Sequence, residues 1–132
     1  MRKLFVIALT AAALPACGQQ PKQSATNRTE TKVRGPEQDQ LHKLDALNLA
    51  VGLKRAIYDA GFSCRRITDA GFVGPYQNLD MWMARCSEGR DWAIFAGADG
   101  SVQVRDCNDL PGTGVPECKI TKRPKGSFSN LQ

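Results

Sequence analysis

A chain of 132 residues with a formal charge of +5 has room for one small domain and one hydrophobic core. Arg2 and Lys3 lie in a segment expected to be cleaved, and without them 16 cations face 13 acids, a net of +3. So mild an excess speaks against a nucleic-acid partner.

Residues 1–17 read MRKLFVIALTAAALPAC: two cations, an apolar run from Leu4 to Leu14, then small residues up to a cysteine. This is the three-part plan of a secretory signal, and it is too short for a membrane-spanning helix. The sequence Leu14-Pro15-Ala16-Cys17 resembles the lipobox of bacterial lipoproteins; Leu14, Ala16 and Cys17 carry the match, and Pro15 is less usual at its place. The resemblance implies removal of residues 1–16, a diacylglycerol on the Cys17 thiol and a further acyl chain, such as palmitate, on the new amine. Two or more chains anchor a protein stably where one does so only marginally. Gly18 stands where an Asp would favour retention at the inner membrane, so the expected address is the periplasmic face of the outer membrane.

After the anchor, residues 17–40 carry Val33 as their only sizeable apolar side chain and cannot bury enough surface to offset ordering entropy. They are read as a flexible tether with a span on the order of 25 Å. The folded domain is placed at 41–118. Leu49, Leu53, Ala56, Ile57 and Ala60, with Ala46 and Ala50 beside them, recur at helical spacing and predict a helix over 44–60, capped by Asp45 and stopped at Gly61-Phe62. Gly52 inside it costs up to about 1 kcal/mol if exposed, or marks a close approach to the sheet.

Beyond the helix the period changes to two. Strands are predicted over 63–69, 79–87, 91–96 and 101–107, with Glu88-Gly89 and Asp99-Gly100 as hairpin turns and a glycine-rich loop over 70–78. The expected class is α+β, one helix packed on an antiparallel sheet of three to four strands. Lys119, Lys122, Arg123 and Lys125, unaccompanied by acids, make 119–132 a basic, disordered tail.

Apart from Cys17, the four cysteines Cys64, Cys86, Cys107 and Cys118 are an even set in an exported chain, so two disulfides are expected. Three pairings are open. Adjacent strands favour Cys64–Cys86, and a Pro- and Gly-rich loop favours Cys107–Cys118. No Cys-x-x-Cys pair supports a metal site or a redox dithiol, so neither metal nor cofactor is expected.

Catalytic chemistry is hard to place. The single histidine, His42, lies at the tether end of the predicted helix, outside any inferred pocket, and no serine or cysteine has a visible base. Asp106 and Asp109, beside Cys107, are a pair that can bind a cation but more often caps a turn and ends a strand. Contact surfaces are expected instead at Phe72 and Tyr76 on the 70–78 loop, and at Leu110 and Val115 on the loop between Cys107 and Cys118.

From Ala46 to Cys107 a helix precedes short antiparallel strands, with Asp91-Trp92-Ala93-Ile94-Phe95 and Asp99-Gly100-Ser101-Val102 near the end. This resembles a PepSY domain, a module of exported bacterial proteins associated with protease regulation. The four cysteines lie outside that family's pattern, and its activity is not carried over. The expected function is a non-catalytic binding or scaffolding module of the cell envelope, held by lipid and facing an envelope protein or cell-wall component. Its alternatives are an inhibitor of an envelope hydrolase and a hydrolase with an unrecognised site.

Overall fold

The computed structural model describes residues 34–129. Cys17, the signal segment and most of the tether lie outside the described residues. Within them, Gly35-Pro36 opens a first helix, α1, over Pro36–Lys43, with Pro36 in the first turn, Glu37 and Asp39 near the N-terminus and His42 and Lys43 near the C-terminus. A second helix, α2, spans Ala46–Asp59, and Asp45 caps it by accepting a hydrogen bond from Asn48 N–H at 2.8 Å. Gly61 ends it with φ of 85°. Phe62 N–H then donates to Ile57 O and Gly61 N–H to Tyr58 O, the paired bonds of a Schellman stop. Phe62 completes the cap by packing on Trp92, ring centroids 4.5 Å apart.

The helix expected over 44–60 is therefore present, and a helix over 36–43 precedes it where tether was expected. The structured region begins by Gly35 instead of 41. Gly52 faces open space on α2, so a close approach to the sheet is not the reason for it.

Four strands follow, β1 (Ile67–Tyr76), β2 (Leu79–Cys86), β3 (Asp91–Ala96) and β4 (Val102–Asp106), paired antiparallel in the order β1-β2-β3-β4. The α+β class holds, with two helices in place of one. The largest departure is the glycine-rich stretch over 70–78, which forms most of β1 and leaves only Gln77-Asn78 as a two-residue turn. Two register shifts, between Ile67 and Asp69 and between Phe72 and Gly74, make bulges at Thr68 and Val73. Pro75 is tolerated because β1 is an edge strand.

The C-terminal segment covers that edge. Phe72 N–H donates to Lys122 O at 2.8 Å, and Thr121 N–H donates to Phe72 O at 2.8 Å. Gly71 permits the crossing, since a Cβ there would sit 2.6 Å from Lys122 O. Arg123 pairs with Asp69 at 2.8 Å, Lys125 O accepts from Ala46 N–H, and Phe128 packs against the helix-side core. Residues 119–129 are thus a packed strap and not the expected disordered tail; their backbone hydrogen bonds to Phe72 cover the middle of an edge that would otherwise be open.

Alternation along the strands sorts the core into two layers. Phe72, Trp82, Ile94 and Val104 stand in one cross-strand row facing α2, where Leu49, Leu53 and Ile57 are buried. On the opposite face Val73, Met81, Met83, Ala93 and Phe95 pack beneath Leu110, Val115 and Ile120. Both disulfides expected from the sequence are formed, Cys64–Cys86 within the helix-side core and Cys107–Cys118 on the other side. No helix among the described residues is long and apolar enough to cross a membrane.

Candidate functional site

Two places in the fold gather chemistry. The first is built from α1 inward. Gln38 has no solvent exposure; its Oε1 accepts from Gly35 N–H at 3.1 Å, and its Nε2 donates to Ala96 O at 2.9 Å and Asn78 O at 3.3 Å. One turn later His42 Nε2 lies 2.9 Å from Oδ2 of Asp80, a carboxylate with no exposed surface. Arg34 approaches the same oxygen at 3.7 Å. The imidazole meets Phe72 edge-on, centroid 4.7 Å away, and packs at a tilt on Trp82 at 4.9 Å.

This cluster corrects the placement of His42 as a residue outside any apolar pocket. A carboxylate accepts hydrogen bonds only, so Nε2 is the donor. Burying a carboxylate is costly unless it is hydrogen-bonded and paired, and His42 and Arg34 meet that need from the chain that leads in from the N-terminus. The arrangement fixes α1 to β2. The adjoining cavity, walled in part by His42, Phe72, Trp82 and Lys122, is about 10 Å³, room for one water-sized body and no substrate.

The second place is the loop closed by Cys107–Cys118. Asp106 starts it, accepting from Asn108 N–H at 2.9 Å, and a 3-10 turn over Cys107–Asp109 delivers Leu110 into the sheet face, where it is 3% exposed. Beyond this anchor Pro111, Gly112, Thr113 and Gly114 are exposed, and the chain returns through half-buried Val115 to Cys118. Gly112 and Gly114 have φ of 80° and 78°, a region that strains residues bearing a Cβ. The Thr113 hydroxyl donates back to Leu110 O at 2.6 Å. The loop is fixed at both ends and braced within, and it arches over a cleft of about 500 Å³ lined by its own residues.

The four expected contact residues divide. Tyr76, Leu110 and Val115 share the face away from the helices, where Tyr76 packs on Phe95 with centroids 6.0 Å apart. Phe72 is on the opposite face, packed against His42 and Trp82. None of the four is a free surface residue. Phe72 and Tyr76 are half-buried because the segment is a strand and not a loop, and Leu110 is core because the face of Met81 and Met83 needs a cover. The exposed surface falls to Pro111–Gly114 instead. Leu47, Val51 and Tyr58 form a second exposed apolar stripe along α2.

Cys64, Cys86 and Glu88 have potential donor atoms within 4.8 Å of one another. Both sulfurs are in a disulfide, and a bridged sulfur is not the thiolate that binds a metal. Comparison with protein-family models, curated proteins and solved structures found no match, so the site is read from its own geometry. That geometry defines a small α+β domain whose disulfides staple both faces of one sheet and which presents one braced loop.

Proposed function

We propose that this chain is a lipid-anchored protein of the bacterial envelope that holds a partner through the loop between Cys107 and Cys118, without catalysing a reaction. The lipid would be carried on Cys17 of the lipobox-like Leu14-Pro15-Ala16-Cys17, most consistent with the outer membrane facing the periplasm. The single observation that carries the binding reading is the loop itself: Leu110 is sunk into the core while the neighbouring Pro111–Gly114 tip is exposed and cross-braced. A loop ordered in advance loses little entropy on association, which is what a recognition element requires. The anchor and tether supply the local concentration.

The test is a photo-crosslinking amino acid at Thr113, with Asn48 on the exposed face of α2 as the control, in cells of the native host. The expected result is one dominant adduct at Thr113 that is absent at Asn48. Equal labelling at both positions, or none at Thr113, would contradict the proposal. A hydrolase in the adduct would specify the module as an inhibitor; a structural protein would specify it as a scaffold.

A further inference from the structure

We infer that the cleft of the Cys107–Cys118 loop is a receptor for a lysine or arginine side chain presented by a protein partner. The inference rests on the reading of this loop as the binding element and names the group it holds.

Size comes first. A cleft of about 500 Å³ lies within the roughly 300–1,000 Å³ range of small-ligand sites and exceeds what an aliphatic side chain needs. Its lining is suited to a hydrocarbon stem. Leu110, Pro111, Val115 and the half-buried disulfide supply apolar surface, and Gly112 and Gly114 keep the rim free of side chains.

Charge then selects the head group. Residues 106–118 contain Asp106, Asp109 and Glu117 and no Lys or Arg, whereas the remainder of the chain from Cys17 onward carries 16 cations against 10 acids. The segment is therefore net acidic, flanked in sequence by Arg105 and Lys119. Asp106 is already engaged, bonded to Asn108 and 3.9 Å from Arg90. Glu117 is the one ionisable side chain in the cleft wall, and among the described residues its carboxylate has no hydrogen bond or ion pair. Asp109 is likewise without a side-chain partner among them.

An apolar wall with one uncompensated carboxylate complements a group with an alkyl stem and a cationic end. Lys and Arg bury their methylenes on such surfaces while the head pairs with the acid. An acidic ligand would meet repulsion from Glu117, and a purely apolar one would gain nothing from its solvated carboxylate.

The test is a methyl-labelled NMR titration of the purified, oxidised full-length protein in detergent micelles. The probes are the N-acetyl methylamides of lysine, arginine, norleucine and glutamate. Saturable shifts of the Leu110 and Val115 methyls are expected with the lysine and arginine probes. The norleucine probe should bind roughly two- to fivefold more weakly, the loss of one solvent-exposed charge pair. Glu117→Gln should abolish that preference while leaving the rest of the spectrum in place, because the exposed carboxylate has no structural partner among the described residues. Equal response to lysine and norleucine, a preference that survives Glu117→Gln, or no response to any probe would each overturn the inference. Crosslinking at Thr113 alongside a silent lysine titration would remove this ligand and keep the loop as the binding element. Failure of both would remove the binding reading as well.

Discussion

His42 and Asp80 lie 38 residues apart in sequence, yet their side chains meet at 2.9 Å in a space closed by Phe72 and Trp82. The pair joins a short polar helix to the strand beside the sheet edge. His42→Ala removes a hydrogen bond from a carboxylate with no exposed surface and also removes two aromatic contacts. We expect a loss of roughly 2–4 kcal/mol in urea unfolding. A change below about 0.5 kcal/mol, the range of unremarkable surface substitutions, would show that the pair is incidental.

Gly52 offers the opposite case. A Cβ at this position in α2 meets nothing within 4 Å, and the residue is helical. Gly52→Ala should therefore raise stability by about 0.5–1 kcal/mol, seen as a higher denaturation midpoint with unchanged slope. A lowered midpoint would mean that α2 is not helical through this residue.

These two residues also mark what could be read in advance. The α2 pattern, its Asp45 cap and its Gly61 stop are local signals, and the structure follows them within two residues. The segment that became α1 also held legible signals, Gly35-Pro36 followed by acids and then His42-Lys43. They carry little weight in the sequence because Leu41 is its only large apolar residue, and its burial comes from Gln38, a polar side chain that hydropathy places outside. Glycines misled at β1. Gly71 is required by Lys122 O, which lies 51 residues along the chain, and no local pattern reveals a contact of that range. The cysteine pairing was legible because Cys64 leads into the strand that pairs with the one ending at Cys86, and a short Pro- and Gly-rich loop joins Cys107 to Cys118. The two-sided burial of β2 was not, since the cover over Met81 and Met83 comes from residues beyond Cys107.

The two disulfides should be separable in their effects. Each closes a modest loop, with sequence separations of 22 and 11, and restricting the unfolded chain is worth about 3 kcal/mol in either case. Replacing Cys107 and Cys118 by Ser should lower stability by about that amount and open Pro111–Gly114 to limited proteolysis while the sheet persists. Replacing Cys64 and Cys86 by Ser should cost more, because both sulfurs are buried and hydroxyls would take their place in the core. Equal losses in the two variants, with an intact loop in the first, would contradict this division.

At the β3–β4 turn, Oδ1 of Asp99 accepts the Ser101 hydroxyl at 2.6 Å and Ser101 N–H at 3.0 Å. These bonds hold the Asp99 carboxyl below the ordinary carboxylate range. For a depressed folded-state pKa, the stabilisation is fully present above the unfolded value and fades as pH falls through the folded one. Ser101→Ala removes the stronger contact, so Asp99 should titrate at a higher pH in carboxyl-carbon NMR. An unchanged midpoint would show that the hydroxyl is not bonded in solution.

The proposal of an anchored display module is tested most directly by the intact mass of the protein isolated from native membranes, measured before and after reduction with thiol labelling. The predicted result is a chain beginning at Cys17 with a lipid-sized increment, and four thiols that appear only on reduction. A chain without lipid, or one whose four remaining cysteines label without reduction, would contradict it.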